Sequence, residues 1–275
     1  MAGKMTEEFT FQIRASTLSG YTDCPRRGAV KLFWKLIRGA GYEFPETPHG
    51  VGAAVGTGVH AGAAHMLYAK RDHLPPVPVK ELHEIGIEAY RGEVRDGVMF
   101  DETTGNHNRA EKQVKILVEV YQSEILPIVI PGDIEASLSS RVSTSVEVTG
   151  HPDNMCGTEI NDLKTGRSPD GHYAQLGGYS LLAQGNGRPR PDRLVIHWLP
   201  RKYKDMPVPK IRVYDVALCE QLAKSTVKYI AGQLEAFLKS GNPESFPVNP
   251  MSTLCSDKYC PACGSKWCKI KIKGE

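Results

Sequence analysis

The hydrophobic pattern of this chain changes its period near residue 134, and that change constrains the fold more than any other feature. From residue 134 to residue 153, apolar and polar side chains nearly alternate, which predicts a β-strand. Four upstream segments predict helices, the last two because apolar residues recur every three or four positions: 16–37, 51–71, 80–96 and 108–126. Helices followed by strands predict an α/β chain with a helical N-terminal part.

Downstream of residue 153, strands and helices alternate. A turn at 154–157 precedes a second predicted strand, and the remaining predicted elements are a helix, two strands and a long amphipathic helix that ends at Gly241: 157–165, 171–185, 192–201, 210–217 and 219–241. This order predicts a central mixed β-sheet flanked by helices. We expect three parts in one compact unit: a helical region (1–130), a core (131–245) and a cysteine-rich tail (246–275).

Length and composition are those of a soluble globular protein. The chain has 275 residues, of which 40% are hydrophobic and 24% are charged. No apolar run approaches the roughly 20 residues that span a bilayer, and the start lacks the apolar core of a signal peptide, which predicts a cytoplasmic protein without a membrane partner. The net charge of +3 permits an anionic partner but does not require one.

Four of the seven cysteines lie within fourteen residues near the C-terminus: Cys255, Cys260, Cys263 and Cys268. In a chain with no export signal, this clustering predicts metal binding rather than disulfides. The pair Cys260 and Cys263 is separated by two residues, a spacing that presents two thiolates to one ion. Structural Zn²⁺ held by the four tail cysteines is one prediction.

The segment HPDNMCGTEINDLKTG (151–166) contains a second candidate metal site. Asp162 and Lys164 share one face of a predicted strand, and Asp153 ends the strand before it. Two carboxylates and a main-chain carbonyl are ligands that Mg²⁺ prefers, and a lysine beside a bound water favours phosphodiester hydrolysis. The alternative is a solvated hairpin. Glu135 and Glu147 are alternative carboxylate ligands for this metal site.

The hairpin itself raises a geometric difficulty. A symmetric turn centred on 155–157 would place Asp153 opposite about residue 159. We therefore expect an asymmetric or strongly twisted hairpin if both aspartates are to hold one ion.

Four motifs occur in the order found in one nuclease superfamily: GTGVHAG around His60, GHPD (150–153), DLKTG (162–166) and QLGGY (175–179). The chain resembles the PD-(D/E)xK nucleases, and specifically their RecB-like exonuclease branch, over most of residues 16–268. The resemblance implies a restriction-endonuclease-like core and a Mg²⁺- or Mn²⁺-dependent deoxyribonuclease that acts on DNA ends or single strands. A free-standing size without helicase motifs implies a phage recombination or CRISPR-associated enzyme, with corresponding recombination or CRISPR-adaptation partner proteins.

The resemblance also implies roles for individual residues. Asp153, Asp162 and the carbonyl of Leu163 would hold the Mg²⁺ or Mn²⁺, with His60 as a further ligand or a close neighbour. Lys164 would be the catalytic lysine. Gln175 and Tyr179, from the motif QLGGY, would contact the nucleic-acid backbone or position the active-site strand. Core packing is the alternative for both His60 and Tyr179.

Some RecB-like nucleases hold a [4Fe–4S] cluster with one distant N-terminal cysteine and three C-terminal ones. The resemblance therefore implies a cluster on Cys24, Cys260, Cys263 and Cys268, with Cys255 as an alternative ligand, and Zn²⁺ as the alternative metal. Such a cluster would join the N-terminal helical part to the tail. Cys156 and Cys219 are expected to be ordinary thiols.

Basic residues on the first predicted helix and in the tail segment KWCKIKIKG predict contacts with a DNA backbone: Arg26, Arg27, Lys31, Lys35 and Arg38. Tyr21, Trp34 and Trp267 are candidates for stacking on unpaired bases, although core packing is the commoner use of such residues. Two other functions are compatible with the sequence. One is a catalytically inactive nucleic-acid-binding module, and the other is a zinc-ribbon interaction protein.

Overall fold

The computed structural model describes residues 10–45, 49–142, 146–166, 168–201 and 206–270. The seven helices of this part of the chain are α1 (Ala15–Tyr21), α2 (Pro25–Gly39), α3 (Val51–Arg71), α4 (Val79–Glu93), α5 (His107–Val120), α6 (Tyr173–Gly185) and α7 (Val216–Ser240). A π-helical turn, Tyr121–Ile125, continues α5, and a 3₁₀ turn, Pro243–Ser245, follows α7. The predicted helical N-terminal part is confirmed.

Ten strands are described: β1 (Phe11–Arg14), β2 (His49–Gly50), β3 (Val98–Met99), β4 (Asp133–Ile134), β5 (Leu138–Arg141), β6 (Val146–Gly150), β7 (Asn154–Cys156), β8 (Glu159–Lys164), β9 (Arg193–Trp198) and β10 (Lys210–Tyr214). The largest sheet has the order β10-β9-β8-β7-β4, with β8 and β9 parallel and the other pairs antiparallel. The predicted α/β class with a central mixed sheet is confirmed.

A second sheet has the order β1-β6-β5, and it corrects the prediction of one strand over 134–153. β5 and β6 pair antiparallel, and β6 also pairs in parallel with β1. Alternation continues through this stretch because each of the two strands has one buried face, so the pattern does not reveal the reversal between them. A third pairing joins the short strands β2 and β3.

The central strand β8 is buried on both faces. Ile160 packs into a core with α1, α2, α6 and α7, whereas Leu163 belongs to a second core that contains side chains of α3, α4 and α5. Strands covered on both faces by helices lose the polar–apolar alternation of a solvated sheet. The segment after Asp153 is therefore held between two helical layers.

Small residues allow these helices to approach one another closely. A Cβ at Gly177 in α6 would lie 1.9 Å from the Cys219 carbonyl oxygen in α7. A Cβ at Gly58 in α3 would lie 2.6 Å from the Gly86 carbonyl oxygen in α4, so this glycine allows α3 and α4 to pack closely. In the part of the chain that is described, no helix is long and apolar enough to cross a membrane.

Candidate active site

The hairpin of β7 and β8 sets the position of both aspartates. Asn154 pairs with Asn161 and Cys156 with Glu159, which leaves Gly157 and Thr158 as a two-residue turn. Gly157 has φ of +57°, a conformation that such turns require and that glycine adopts without strain. The next pair in this register is Asp153 and Asp162. The expected asymmetry or strong twist was wrong, because the turn lies further along the chain than 155–157.

Asp153 joins the hairpin to helix α3. Its Oδ2 accepts a hydrogen bond of 2.5 Å from the Leu163 N–H, and its Oδ1 lies 2.7 Å from Nδ1 of His60. The N–H and C=O of one strand residue point the same way, so the Leu163 carbonyl is directed toward the side of Asp153. The structure thus brings together His60, Asp153 and the predicted carbonyl ligand.

Asp162 is 1% exposed and contacts two further predicted residues of the site, Lys164 and Gln175. Nζ of Lys164 lies 2.5 Å from its Oδ2, and Nε2 of Gln175 lies 3.4 Å from each of its oxygens. Gln175 also donates a 2.9 Å hydrogen bond to the Tyr179 hydroxyl, one turn further along α6. Tyr179 is buried, so it positions Gln175 rather than offering a surface to a ligand.

Two carboxyl groups, an imidazole and an amino group share this site, and their surroundings shift the four pKa values in different directions. Burial raises the pKa of Asp162, and the charge of Asp153 adds to this, against the opposing effect of Lys164. Burial also disfavours ionised Asp153, but His60, Lys164 and the Leu163 N–H outweigh it and lower its pKa. Burial opposes the charged forms of His60 and Lys164 as well, yet the aspartates raise both pKa values.

The donor set suits a divalent cation. A buried and a half-buried carboxylate, a carbonyl and an imidazole are ligands that Mg²⁺ and Mn²⁺ accept. Burial raises the pKa of Asp162 by disfavouring its ionised form, which a bound cation would stabilise. Within the described ranges, no three His, Cys, Asp or Glu side chains are grouped closely enough to hold a metal as they stand. Lys164 and His60 contact the carboxylates instead.

Three further ionisable residues lie near the site. Glu135 was predicted only as an alternative carboxylate, and His172 and His197 were not predicted. Glu135 adopts φ of +49°, donates its N–H to the Asp153 carbonyl, and has its pKa raised by burial and by Asp153. His197, 5% exposed, lies beside Leu163 on β9, and burial lowers its pKa to about 4. His172 precedes α6, and burial and Lys164 lower its pKa. His197 was missed because it lies within an apolar run of the sequence. The positive φ of Glu135 could not be predicted because nothing in the sequence indicates it.

The other alternative carboxylate, Glu147, is used elsewhere. It lies on β6 and accepts a hydrogen bond of 3.0 Å from Gln12 of the neighbouring strand β1. It therefore supports the three-stranded sheet, and the structure does not bring it to Asp153 and Asp162.

Arg26 and Arg27 are not placed for DNA contacts, which corrects the prediction. Arg26 is 3% exposed and donates hydrogen bonds of 2.6 Å to the carbonyls of Phe246 and Trp267. Arg27 is 7% exposed and pairs with Asp23 at 2.8 Å. A buried guanidinium needs several acceptors, and here the chain supplies them.

Of the three aromatic candidates, one is at the surface. Tyr21 is buried and donates to Gln233, and Trp267 is buried and donates its Nε1–H to the Arg26 carbonyl. Trp34 is 42% exposed, and Lys31 and Lys35 are exposed on the same helix. Lys271 and Lys273 lie outside the described residues.

One cavity is lined by all five candidate cysteines: Cys24, Cys255, Cys260, Cys263 and Cys268. Cys24 precedes α2, so the tail and the first helices do meet around these side chains. Burial raises the pKa of Cys260 to about 11 and also raises that of Cys268 and Cys255. The donor set suits a soft metal, which would stabilise the thiolates that burial disfavours.

No family model matches the chain, and no curated protein matches it. Among solved structures, it is similar to a Eubacterium rectale protein described as "Putative exonuclease". The TM-score is 0.54, the sequence identity is 13%, and the match covers 100% of this chain and 96% of the other. At this identity the likeness shows that the two chains share a fold.

Proposed function

We propose that this protein is a Mg²⁺- or Mn²⁺-dependent DNA exonuclease of the PD-(D/E)xK superfamily, in its RecB-like branch. The observation that carries the proposal is the meeting of Asp153, Asp162, His60 and Lys164 at the end of the β7–β8 hairpin. The four motifs that suggested this family in sequence all contribute to that one place. The fold shared with the Eubacterium rectale protein is consistent with the assignment.

Asp153, Asp162 and the Leu163 carbonyl would hold the metal, and His60 would ligate it or orient Asp153. A bound divalent ion supplies an acidified water and neutralises charge on the phosphodiester. The Asp153 carboxylate has two hydrogen-bond partners, the Leu163 N–H and His60, and these hold its orientation without help from the ion. Such second partners of ligand side chains tune metal sites.

Lys164 has the most direct catalytic role in this proposal. Its ammonium group lies at the edge of the carboxylate pair, and its raised pKa keeps it charged at neutral pH. A fixed positive charge there would stabilise the extra negative charge of the transition state and orient the attacking water. Gln175, positioned by Tyr179, would hold Asp162 as the lysine shifts toward the substrate.

We also propose that Cys24, Cys260, Cys263 and Cys268 hold a [4Fe–4S] cluster, with Cys255 as the alternative ligand and Zn²⁺ as the alternative metal. The shared cavity supports this assignment. Purification without oxygen, followed by metal analysis and a visible absorption spectrum, separates iron and sulfur from zinc.

The nuclease proposal is tested with end-labelled single-stranded and duplex DNA, incubated with Mg²⁺, Mn²⁺ or EDTA. We expect stepwise loss of label with either ion and none in EDTA. Asp162→Asn and Lys164→Met should abolish the reaction, whereas Asp72→Asn and Lys224→Met, exposed positions of the same types, should not. Folded wild-type protein that binds DNA but leaves it intact under all conditions would instead indicate an inactive binding module.

A further inference from the structure

A groove on the N-terminal side of the molecule combines an exposed tryptophan and two half-buried aromatic rings with positive charge. It lies between α2, the start of α3, the segment after β3 and the cysteine tail. The residues that define this aromatic groove are Lys31, Trp34, Arg38, Phe100, Lys258 and Tyr259. Only part of this set was visible in the sequence, because Phe100 and the tail residues are far from α2 along the chain.

The rings of the groove are arranged with cations beside them. The guanidinium carbon of Arg38 lies 5.2 Å from the centre of the Trp34 ring, and Nζ of Lys258 lies 5.2 Å from that of Tyr259. Arg38 also donates to the Phe44 carbonyl, which fixes its position against Trp34. An exposed tryptophan held in one place is pre-ordered for a flat partner, since less side-chain freedom is lost on binding.

The charge of the groove is positive. Among the described residues, one acidic residue lines the groove, Asp101, and Arg201 binds it at 2.8 Å. Lys31 and Lys258 have no ion pair among the described residues.

The groove and the candidate active site lie along one helix. Val51, which lines the groove, begins α3, and His60 lies nine residues further along it. At 1.5 Å per residue, this separation is about 14 Å along the helix axis. That distance is about four nucleotides at the 3.4 Å rise of one strand in a duplex, and fewer for an extended strand.

We propose that the aromatic groove binds single-stranded nucleic acid, with bases stacked on Trp34 and Tyr259 and phosphates beside Lys31, Arg38 and Lys258. This proposal deepens the proposed function, because it names the strand that would reach the active site. Interleaved rings and cations suit unpaired bases, whereas a duplex hides the faces of its bases. Aromatic grooves for proline-rich peptides do not need this positive charge.

Binding is measured by fluorescence anisotropy with a labelled oligo-dT strand in EDTA, so that no cleavage intervenes. Trp34→Ala and Tyr259→Ala should each weaken binding by about 5-fold or more, the usual effect of losing one stacked base. Tyr229→Ala, at a tyrosine on α7 that is as exposed as Trp34, should change binding by less than about 2-fold. Melting temperatures establish that each variant is folded.

The salt dependence tests the phosphate contacts separately. Lys31→Gln and Lys258→Gln should each lower the slope of log affinity against log salt by about 0.7, whereas Lys224→Gln should leave it unchanged. Unchanged binding in both aromatic variants would overturn the proposal. So would a blunt duplex that binds as tightly as the single strand and loses as much in those variants.

The two proposals fail in different ways. If wild-type protein binds the single strand through the groove but cleaves nothing with Mn²⁺, the groove proposal is supported and the nuclease proposal is wrong. If cleavage occurs and neither aromatic variant weakens binding, the nuclease proposal is supported and the groove proposal is wrong.

Discussion

The candidate active site and the cysteine cavity are both candidate metal sites, but the fold prepares them differently. At the active site, the side chains come from α3, α6, β8 and the residue just before β7, and hydrogen bonds already join them. At the cavity, the cysteines come from the residue before α2 and from a tail of turns with one bridge, Cys263 with Cys268. The tail contacts the body through hydrogen bonds of Trp267 with Arg26 and of Asn249 and Ser252 with Asp23, and the Trp267 ring is buried in the core.

Because of this difference, we expect metal binding to affect catalysis at the active site and stability at the cavity. A metal at the active site would bind to ligands that the fold has already positioned, because the hairpin register and two helices hold these side chains. A metal in the cavity would join a tail whose described residues form turns without helices or ladders, although Ala262 and Trp267 already pack in the core. Losing a ligand should therefore reduce activity at the first site and stability at the second.

The largest effect is expected from Asp162→Asn. The change keeps the side-chain shape but removes the charge, so cleavage should fall by a thousand-fold or more, about 4 kcal/mol of transition-state stabilisation. Because burial raises the pKa of Asp162, the neutral amide should leave the melting temperature in EDTA unchanged or higher. A variant that melts much earlier and still cleaves DNA would contradict the comparison.

Cys24→Ser should show the opposite pattern. If Cys24 joins a cluster with Cys260, the loss of that link frees a loop of more than 200 residues, a cost on the order of 4 kcal/mol by loop-closure entropy. We expect lower iron content, weaker visible absorbance and earlier thermal unfolding. Cys156→Ser, in the β7–β8 hairpin, is the matched control and should keep all three. Equal iron content in the two variants would exclude Cys24 as a ligand.

Arg26→Met tests the corrected role of a residue first predicted to bind DNA. The variant keeps the apolar stem but leaves the Phe246 and Trp267 carbonyls without their donor, a loss of about 3 kcal/mol. Urea denaturation should show this loss, whereas affinity for oligo-dT should change by less than about 2-fold. Lys35→Met, at an exposed position of the same helix, is the control for stability. A stable Arg26→Met variant with weakened DNA binding would restore the first interpretation.

The smallest effect concerns the pH dependence of the metal-free protein. Burial opposes the charged form of His60, but Asp153 outweighs it and raises the pKa above that of the unfolded chain, about 6.5. The ion pair thus stabilises fully below that value, and the stabilisation is lost as pH rises through the folded pKa. Its slope is at most about 1.4 kcal/mol per pH unit.

Urea denaturation in EDTA between about pH 5.5 and 9 measures this slope. His60→Gln should remove it, and His65→Gln, an exposed histidine on the same helix, should keep it. An unchanged slope in His60→Gln would show that the His60–Asp153 pair does not contribute to folding.

Local patterns predicted most of the architecture. The helix prediction over 51–71 agrees with α3, and the predicted strand over 157–165 contains β8, because periodicity reports which face of a segment is buried. The position of the hairpin turn was missed. Its location depends on Gly157 adopting positive φ, and the neighbouring residues of the segment are equally compatible with a turn.

Long-range contacts account for the remaining errors. Arg26 is on a helix whose basic residues suggest a solvated face, but its acceptors lie 220 and 241 residues further along the chain. β1 has four residues, too few for a pattern, and pairs with β6 at a separation of 135 positions. His197 lies within an apolar strand, and only the pairing of β9 with β8 brings it to the site.

The most direct test of the account is the position of Mn²⁺ in a crystal soaked with the ion, located by its anomalous scattering. We expect a peak within about 2.5 Å of carboxylate oxygens from both Asp153 and Asp162, with Lys164 displaced from Asp162. The absence of a peak between these two aspartates, in crystals that bind Mn²⁺ elsewhere, would contradict the claim that the hairpin forms a catalytic metal site.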